Sequence, residues 1–157
     1  MNSINNYINS ELEYGLRAVI LVSELSECDL SFEKLIIFDY ILTNINDFDE
    51  MMESVHPQTP YRYAKLIVKR KAYKTGLNYC ISKNLINVKY CSKGILYEAS
   101  YITTKFLKHL ESEYVKKLIK CSSRIKELYG TFSLDDLQQM IDEKVKENGI
   151  EFHMIND

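Results

Sequence analysis

The 157-residue chain has no tryptophan, two prolines and five glycines, which leaves little material for loops, β-turns or linkers. It has no C-x-x-C pair: Cys28, Cys80, Cys91 and Cys121 are widely and irregularly spaced, as are His56, His109 and His153. Zinc sites draw on close ligand pairs, so no metal or other cofactor is expected, and the cysteines read as reduced thiols packed as small hydrophobes. There is no glycine-rich phosphate loop, no G-x-S-x-G and no H-E-x-x-H. Without a catalytic constellation, the chain is expected not to be an enzyme. No apolar run is long enough to span a bilayer, and Met1-Asn2-Ser3-Ile4 lacks the basic start and apolar core of a signal peptide. The expectation is a soluble cytoplasmic chain with no membrane contact.

What is present is charge sorted into blocks. Residues 1–53 carry eleven acids against two bases, Arg17 and Lys34. Residues 54–97 carry nine bases and no acid: Arg62, Lys65, Lys69, Arg70, Lys71, Lys74, Lys83, Lys89 and Lys93. Residues 98–157 carry eleven acids against nine bases, so the net charge of −2 conceals blocks of −9, +9 and −2. Such sorting makes a directed field and suits a docking part better than a catalyst.

The Lys/Glu/Leu/Ile-rich composition favours helix. Residues 11–26 read as a first helix with Leu12, Leu16, Val19 and Ser23 on one stripe, widened by Ile20 and Leu25. Asp29 or Ser31 caps a second, over about 31–44, so apolar around its circumference that it belongs to the core centre. Residues 45–59 form a long connection, either functional or an ordered loop, whose Phe48, Met51, Met52 and Val55 either pin it down or meet a partner. Thr59-Pro60 starts a third helix running to about Asn84, with a break expected at Thr75-Gly76. A hairpin follows: Ile86, Val88 and Tyr90 on one face, a turn at Ser92-Lys93-Gly94, then Ile95, Tyr97 and Ala99 on the other side. Another helix runs from Ser100 or Thr103 to Gly130, with apolar positions including Ile102, Phe106 and Leu110 and a bend near Leu110-Glu111-Ser112. Gly130 reads as its C′ residue. Ser133-Leu134-Asp135-Asp136 opens the last helix, and Asn148-Gly149 stops it. The fold class expected is mainly α: a winged helix-turn-helix core with one β-hairpin wing and additional C-terminal helices. As one domain, this divides into a core over about 11–99, an extension over about 100–148 and a tail over 149–157.

Asp39 lies between Phe38 and Tyr40 on the most apolar helix, and Arg17 stands alone among the acids of the first; the two are natural partners. His56-Pro57-Gln58-Thr59-Pro60 is either simple helix-entry geometry or a rigid corner presenting His56 and Gln58. The basic segment keeps three readings. Arg62, Lys65, Lys69, Arg70, Lys71 and Lys74, with Lys89 and Lys93 on the wing, neutralise DNA phosphates, meet an acidic protein partner, or form a solvated face complementing the chain's own acidic block. The fifteen-residue gap before the third helix is too long for an ordinary helix-turn-helix. Phe48, Met51, Met52, His56 and Gln58 are the candidate protein-interface residues.

Several of these pieces together resemble the middle component of ABC-three-component anti-phage systems, the group that includes Lamassu. They are Glu13-Tyr14-Gly15-Leu16-Arg17-Ala18, Phe38-Asp39-Tyr40, Ser54-Val55-His56-Pro57-Gln58-Thr59-Pro60, and Gly76-Leu77 through Asn84-Leu85-Ile86. The resemblance spans roughly residues 8–150, and its most specific part is the His-Pro-x-x-Pro piece preceded by the Gly-Leu-Arg helix. Asn84 stands where the family often has glycine, a mild departure because asparagine tolerates the left-handed conformation. The resemblance implies a non-enzymatic winged-helix adaptor joining an SMC-like ABC ATPase to an effector, a nuclease or other toxin, and assisting the sensing of double-stranded DNA. The alternative class is a free-standing winged-helix transcriptional regulator.

Overall fold

A computed structural model describes residues 10–59 and 63–147. Helices dominate, with one two-stranded antiparallel hairpin. Helix α1, Glu11–Glu24, begins at Ser10, whose Oγ accepts the Glu13 N–H at 3.2 Å. Helix α2, Phe32–Thr43, is capped by Ser31 in the same way through the Lys34 N–H, so Ser31 rather than Asp29 is its cap. Every residue from Leu35 to Thr43 is buried, which places α2 at the core centre as its composition requires. Helix α1 is nearly as deeply enclosed: Tyr14, Gly15 and Arg17 to Val22 are all buried. The stripe expected to face the core divides: Val19 is fully buried and Leu16 packs half-buried on the core, whereas Leu12 is 65% exposed. The exposure of Leu12 was not legible, because α1 is apolar on more than one side.

The connection after α2 opens with a 3₁₀ turn, Ile45–Asp47, and continues as an ordered loop. Short helix α3, Ala64–Val68, and longer α4, Arg70–Ser82, follow. Pro60, and so the expected Thr59-Pro60 helix start, lies outside the described residues, as do Arg62 and the tail from residue 148. The break falls at Lys69, not at Thr75-Gly76. Gly76 is helical and buried for a different reason. A Cβ there would lie 2.1 Å from the Glu11 carbonyl oxygen, and one on Gly15 would lie 2.7 Å from the Gly76 carbonyl oxygen. The two glycines let α1 and α4 touch backbone to backbone.

Helix α4 ends in a Schellman arrangement. Leu85 N–H donates to the Cys80 carbonyl and Asn84 N–H to the Ile81 carbonyl, each at 3.0 Å, with Asn84 left-handed at φ 58°. The chain then enters β1, Ile86–Cys91, which pairs with β2, Gly94–Ala99, in the register Ile86 with Ala99, Val88 with Tyr97 and Tyr90 with Ile95. These pairs are directly opposite, so both apolar sets share one face. The hairpin is tied to the helices at its return strand, where Tyr97 N–H donates to the Leu30 carbonyl at 2.8 Å, between α1 and α2.

The expected bend becomes a full break between α5, Thr103–Lys108, and α6, Glu113–Tyr129, which restarts on the Ser112 cap. Gly130 is right-handed, φ −59°, so the left-handed terminus expected of it is not used. Helix α7, Leu134–Glu147, opens with the reciprocal Ser133–Asp136 bonds of a capping box. Leu137, Ile141 and Val145 bury its inner face in the common core.

Because backbone on α1 would have to retreat from a methyl at position 76, Gly76→Ala is expected to destabilise the fold by ~3 kcal/mol or more, at the upper end of overpacking costs. A urea titration followed by circular dichroism measures it; an unchanged midpoint would show that the helices separate easily.

Candidate functional site

The residues that the sequence picks out by motif meet at one place. From α1, Arg17 reaches into the core with only 1% of its surface exposed. Its Nε donates to Asp39 Oδ1 at 2.6 Å and its Nη2 to Oδ2 at 3.0 Å, so the expected pair is present as a two-pronged clamp between α1 and α2. One turn before Arg17, Glu13 places Oε1 2.9 Å from Nη1. That same oxygen accepts from Tyr114 Oη on α6 and lies 3.0 Å from His56 Nε2, while His56 and Tyr114 are also 3.1 Å apart. The two rings stack nearly parallel, and Arg17 lies over the Tyr14 ring, 4.6 Å from its centroid.

Burial opposes the charge on Arg17, but Asp39, through charge and hydrogen bonds, and then Glu13 hold it firmly protonated. The Tyr114 hydroxyl is pushed well above its ordinary range by burial and by its bond to Glu13, so it remains a donor. The cluster thus holds a fixed cation between two carboxylates. It joins α1, α2, α6 and the loop carrying His56. Among the described residues no group of His, Cys, Asp and Glu is placed to hold a metal ion.

His56 is held in place by more than its ring, since its N–H donates to the Thr43 carbonyl at the end of α2. The loop is pinned elsewhere too. Asn46 Nδ2 donates to the Met52 carbonyl at 2.9 Å, and Asp49 pairs with Arg124 of α6 at 2.6 Å. Phe48 lies half-buried between Tyr40 and Tyr129, with centroids 6.1 and 6.4 Å away, and Met52 packs on the core. Of the nominated loop residues, Met51, 86% exposed, and Gln58 face outward. Residues 45–59 therefore form an ordered loop whose exposed side chains are Met51 and Gln58 together with Glu50, Glu53 and Pro57.

The basic residues do not act alike. Arg70 forms a two-pronged pair with Glu33, both distances 2.6 Å, and Lys93 pairs with Asp29. The acids respond: the Arg70 hydrogen bond holds the Glu33 carboxyl below its ordinary range, and Lys93 does the same to Asp29. Lys69 and Lys74 lie over the Tyr14 and Phe32 rings at 5.6 and 4.7 Å, and Lys74 also reaches Tyr97 Oη at 3.5 Å. Lys71 and Lys89 are exposed. Two bases of the segment thus complement the chain's own acidic block. Lys65 lies in α3, and its side chain, like Arg62, is outside the described set.

The cysteines divide as well. Cys80 and Cys121 are buried, and burial pushes the Cys80 thiol up to about 11. Cys91 is exposed on the hairpin, contrary to the expectation that all four pack as small hydrophobes, because β1 buries only its first residue.

Glu13 and Tyr114 were not candidate residues. Glu13 was open to inference as an i,i+4 partner of Arg17. Tyr114 lies 101 positions from Glu13 with no local pattern to mark it.

The family model for the middle component 2 of ABC-three-component (ABC-3C) systems matches residues 7–151. The chain belongs to that family. The match contains all five residues of the cluster: Glu13, Arg17, Asp39, His56 and Tyr114. No curated protein matches this middle component, and no solved structure does. Membership makes the protein one component of a multi-part system. No helix among the described residues is long and apolar enough to cross a membrane.

Arg17→Met leaves the Asp39 carboxylate buried without its partner, and unfolding free energy is expected to fall by ~3–5 kcal/mol. Replacing both, Arg17→Met with Asp39→Leu, should recover much of that loss in the same chemical denaturation; a double variant as weak as the single would refute the pairing account. Iodoacetamide at pH 8 should label Cys91 fast and leave Cys80 protected until unfolding, as peptide mass spectrometry would report. Equal labelling would contradict the burial described.

Proposed function

We propose that this middle component is a non-catalytic adaptor of an anti-phage ABC-three-component system of Lamassu type. It links an SMC-like ABC ATPase to an effector, a nuclease or other toxin, and works in the cytoplasm. The observation that carries this reading is the family match over residues 7–151. The cluster around Arg17 supports it, because its charged groups are paired with one another: Arg17 with Asp39 and Glu13, and Glu13 also with His56 and Tyr114. Its chemistry suits locking a scaffold on which other components assemble.

We further propose that α1, α2, α4 and the hairpin form a winged-helix core that assists DNA sensing. The order of helices and hairpin supports this, together with the bond from Tyr97 to Leu30, which ties the hairpin across the segment joining α1 and α2. The outward line of α4 carries Lys71, Lys74, Thr75 and Asn78, with Lys89 on the hairpin beside it. No acid lies on α4 or on β1 themselves, although Glu33 and Asp29 pair with Arg70 and Lys93 nearby, so Lys71, Lys74 and Lys89 are the cations left to meet phosphates. The same surface favours the second reading, a free-standing DNA-binding regulator.

Recovery of the tagged protein from its native cell under mild conditions, with mass spectrometry of what accompanies it, separates the two. An ABC ATPase and an effector in fixed ratio are expected; the protein alone, or with DNA only, would favour the regulator. Reversing Lys71, Lys74 and Lys89 to glutamate is expected to reduce the DNA affinity of the assembled complex. Its salt slope should fall by up to about one for each phosphate that is no longer neutralised. Unchanged salt dependence would remove DNA from the account.

A further inference from the structure

An open apolar groove runs between α1, α4 and α5, with a volume of about 690 Å³. Its walls are Leu12 and Leu16 of α1, Tyr79 of α4, and Ile102, Phe106 and Leu110 of the α5 segment. Leu12 is 65% and Tyr79 49% exposed, and Leu16, Ile102, Phe106 and Leu110 are only half-buried. On the α1 wall Leu12, Leu16 and Val19 recur at steps of four and three, with Val19 fully buried. The opposite wall recurs at i, i+4 and i+8 through Ile102, Phe106 and Leu110. Two apolar walls of this kind, each about two helical turns in length, form a seam into which a further helix can set its side chains.

Exposed Glu11 and Glu111 flank Leu12 and Leu110 at the edges of the seam, while the uncommitted charge within its wall is a cation. Glu13, the acid in the wall, is committed to Arg17, His56 and Tyr114. Lys83, also in the wall, makes no ion pair among the described residues and reaches only the Tyr79 ring, at 5.4 Å. Lys105, three residues beyond Ile102, is exposed on the same side of α5.

From the seam and its charge we infer that this groove receives an amphipathic helix of another component of the system. That helix carries aliphatic residues at i, i+4 and i+7 and a carboxylate that pairs with Lys83. This inference rests on the adaptor reading and names the surface through which it acts. The surface is distinct from the basic line of α4: Tyr79 and Lys83 lie on one flank of that helix and Lys71 and Lys74 on the other, at 100° per residue.

The test places a photo-crosslinking benzoyl-phenylalanine at Tyr79 in the full chain, expressed with its native partners, and identifies the crosslinked peptide by mass spectrometry. A crosslink to an amphipathic, acid-bearing helix of another component is expected. Leu12→Glu and Lys83→Glu should each weaken retention of that component at least ~tenfold. Both side chains lie at the surface, so the melting temperature should stay near that of the wild type. Crosslinks to a second copy, to this chain's own residues or to nothing would overturn the inference. So would full retention of the other components by both variants. If the wild type retains no other component at all, the adaptor reading itself fails, a result distinct from intact assembly with an unused groove.

Discussion

The Arg17–Asp39 pair is the constraint around which the rest of the structure is arranged. A guanidinium taken almost fully out of water is tolerable only if its charge and donors are met, and removal of a partner from such a pair is far more costly than the pair itself is worth. Arg17 therefore fixes the relative position of α1 and α2. Glu13 extends the constraint outward, because one of its oxygens serves Arg17, His56 and Tyr114 together. Three stretches far apart in sequence are thereby held to one face of α1. The glycines at 15 and 76 hold its other side, where α4 comes to backbone contact.

This arrangement gives the long connection after α2 a physical role. A loop of such length within a compact fold is usually functional or tied down. Here His56 stitches it to α1 and α6, Asp49 to Arg124, and Phe48 to the aromatic pair Tyr40 and Tyr129. The Ser-Val-His-Pro motif thus serves as a clamp for the loop. The charge blocks acquire a partly internal meaning as well: Arg70 and Lys93 fold back on Glu33 and Asp29, whereas Lys71 and Lys89 stay at the surface. A segment that looks uniformly basic in sequence is a mixture of internal struts and free cations.

Much of the fold was legible because its signals are local. Ser31, Ser112 and Ser133 cap helices as serines followed by apolar periodicity should, and Asn84 adopts the left-handed turn asparagine tolerates. Arg17 and Asp39 were legible as partners because each was the odd residue on an apolar helix. What failed depended on neighbours distant in sequence. Gly76 looked like a helix breaker and is instead the contact point of two helices. Cys91 looked like a core residue and lies on a strand that buries only its first position. Tyr114 carried no local mark at all. The stripes Leu12-Leu16 and Ile102-Phe106-Leu110 were correctly read as apolar faces; whether such a face meets the chain's own core or another molecule is decided by packing that periodicity does not encode.

A core cross-tied at Arg17, with an open apolar seam on one flank of α4 and exposed lysines on the other, suits the adaptor role proposed for it. The cross-tie rests on one carboxylate shared between separate elements. Hydrogen exchange by mass spectrometry on the wild type and on Glu13→Gln tests this most directly. The account predicts faster exchange in α1, in residues 45–58 and at the start of α6 together, with the hairpin over 86–99 unchanged. Faster exchange confined to the first turns of α1 would show that Glu13 does not join these elements, and the account of how this scaffold is held would be wrong.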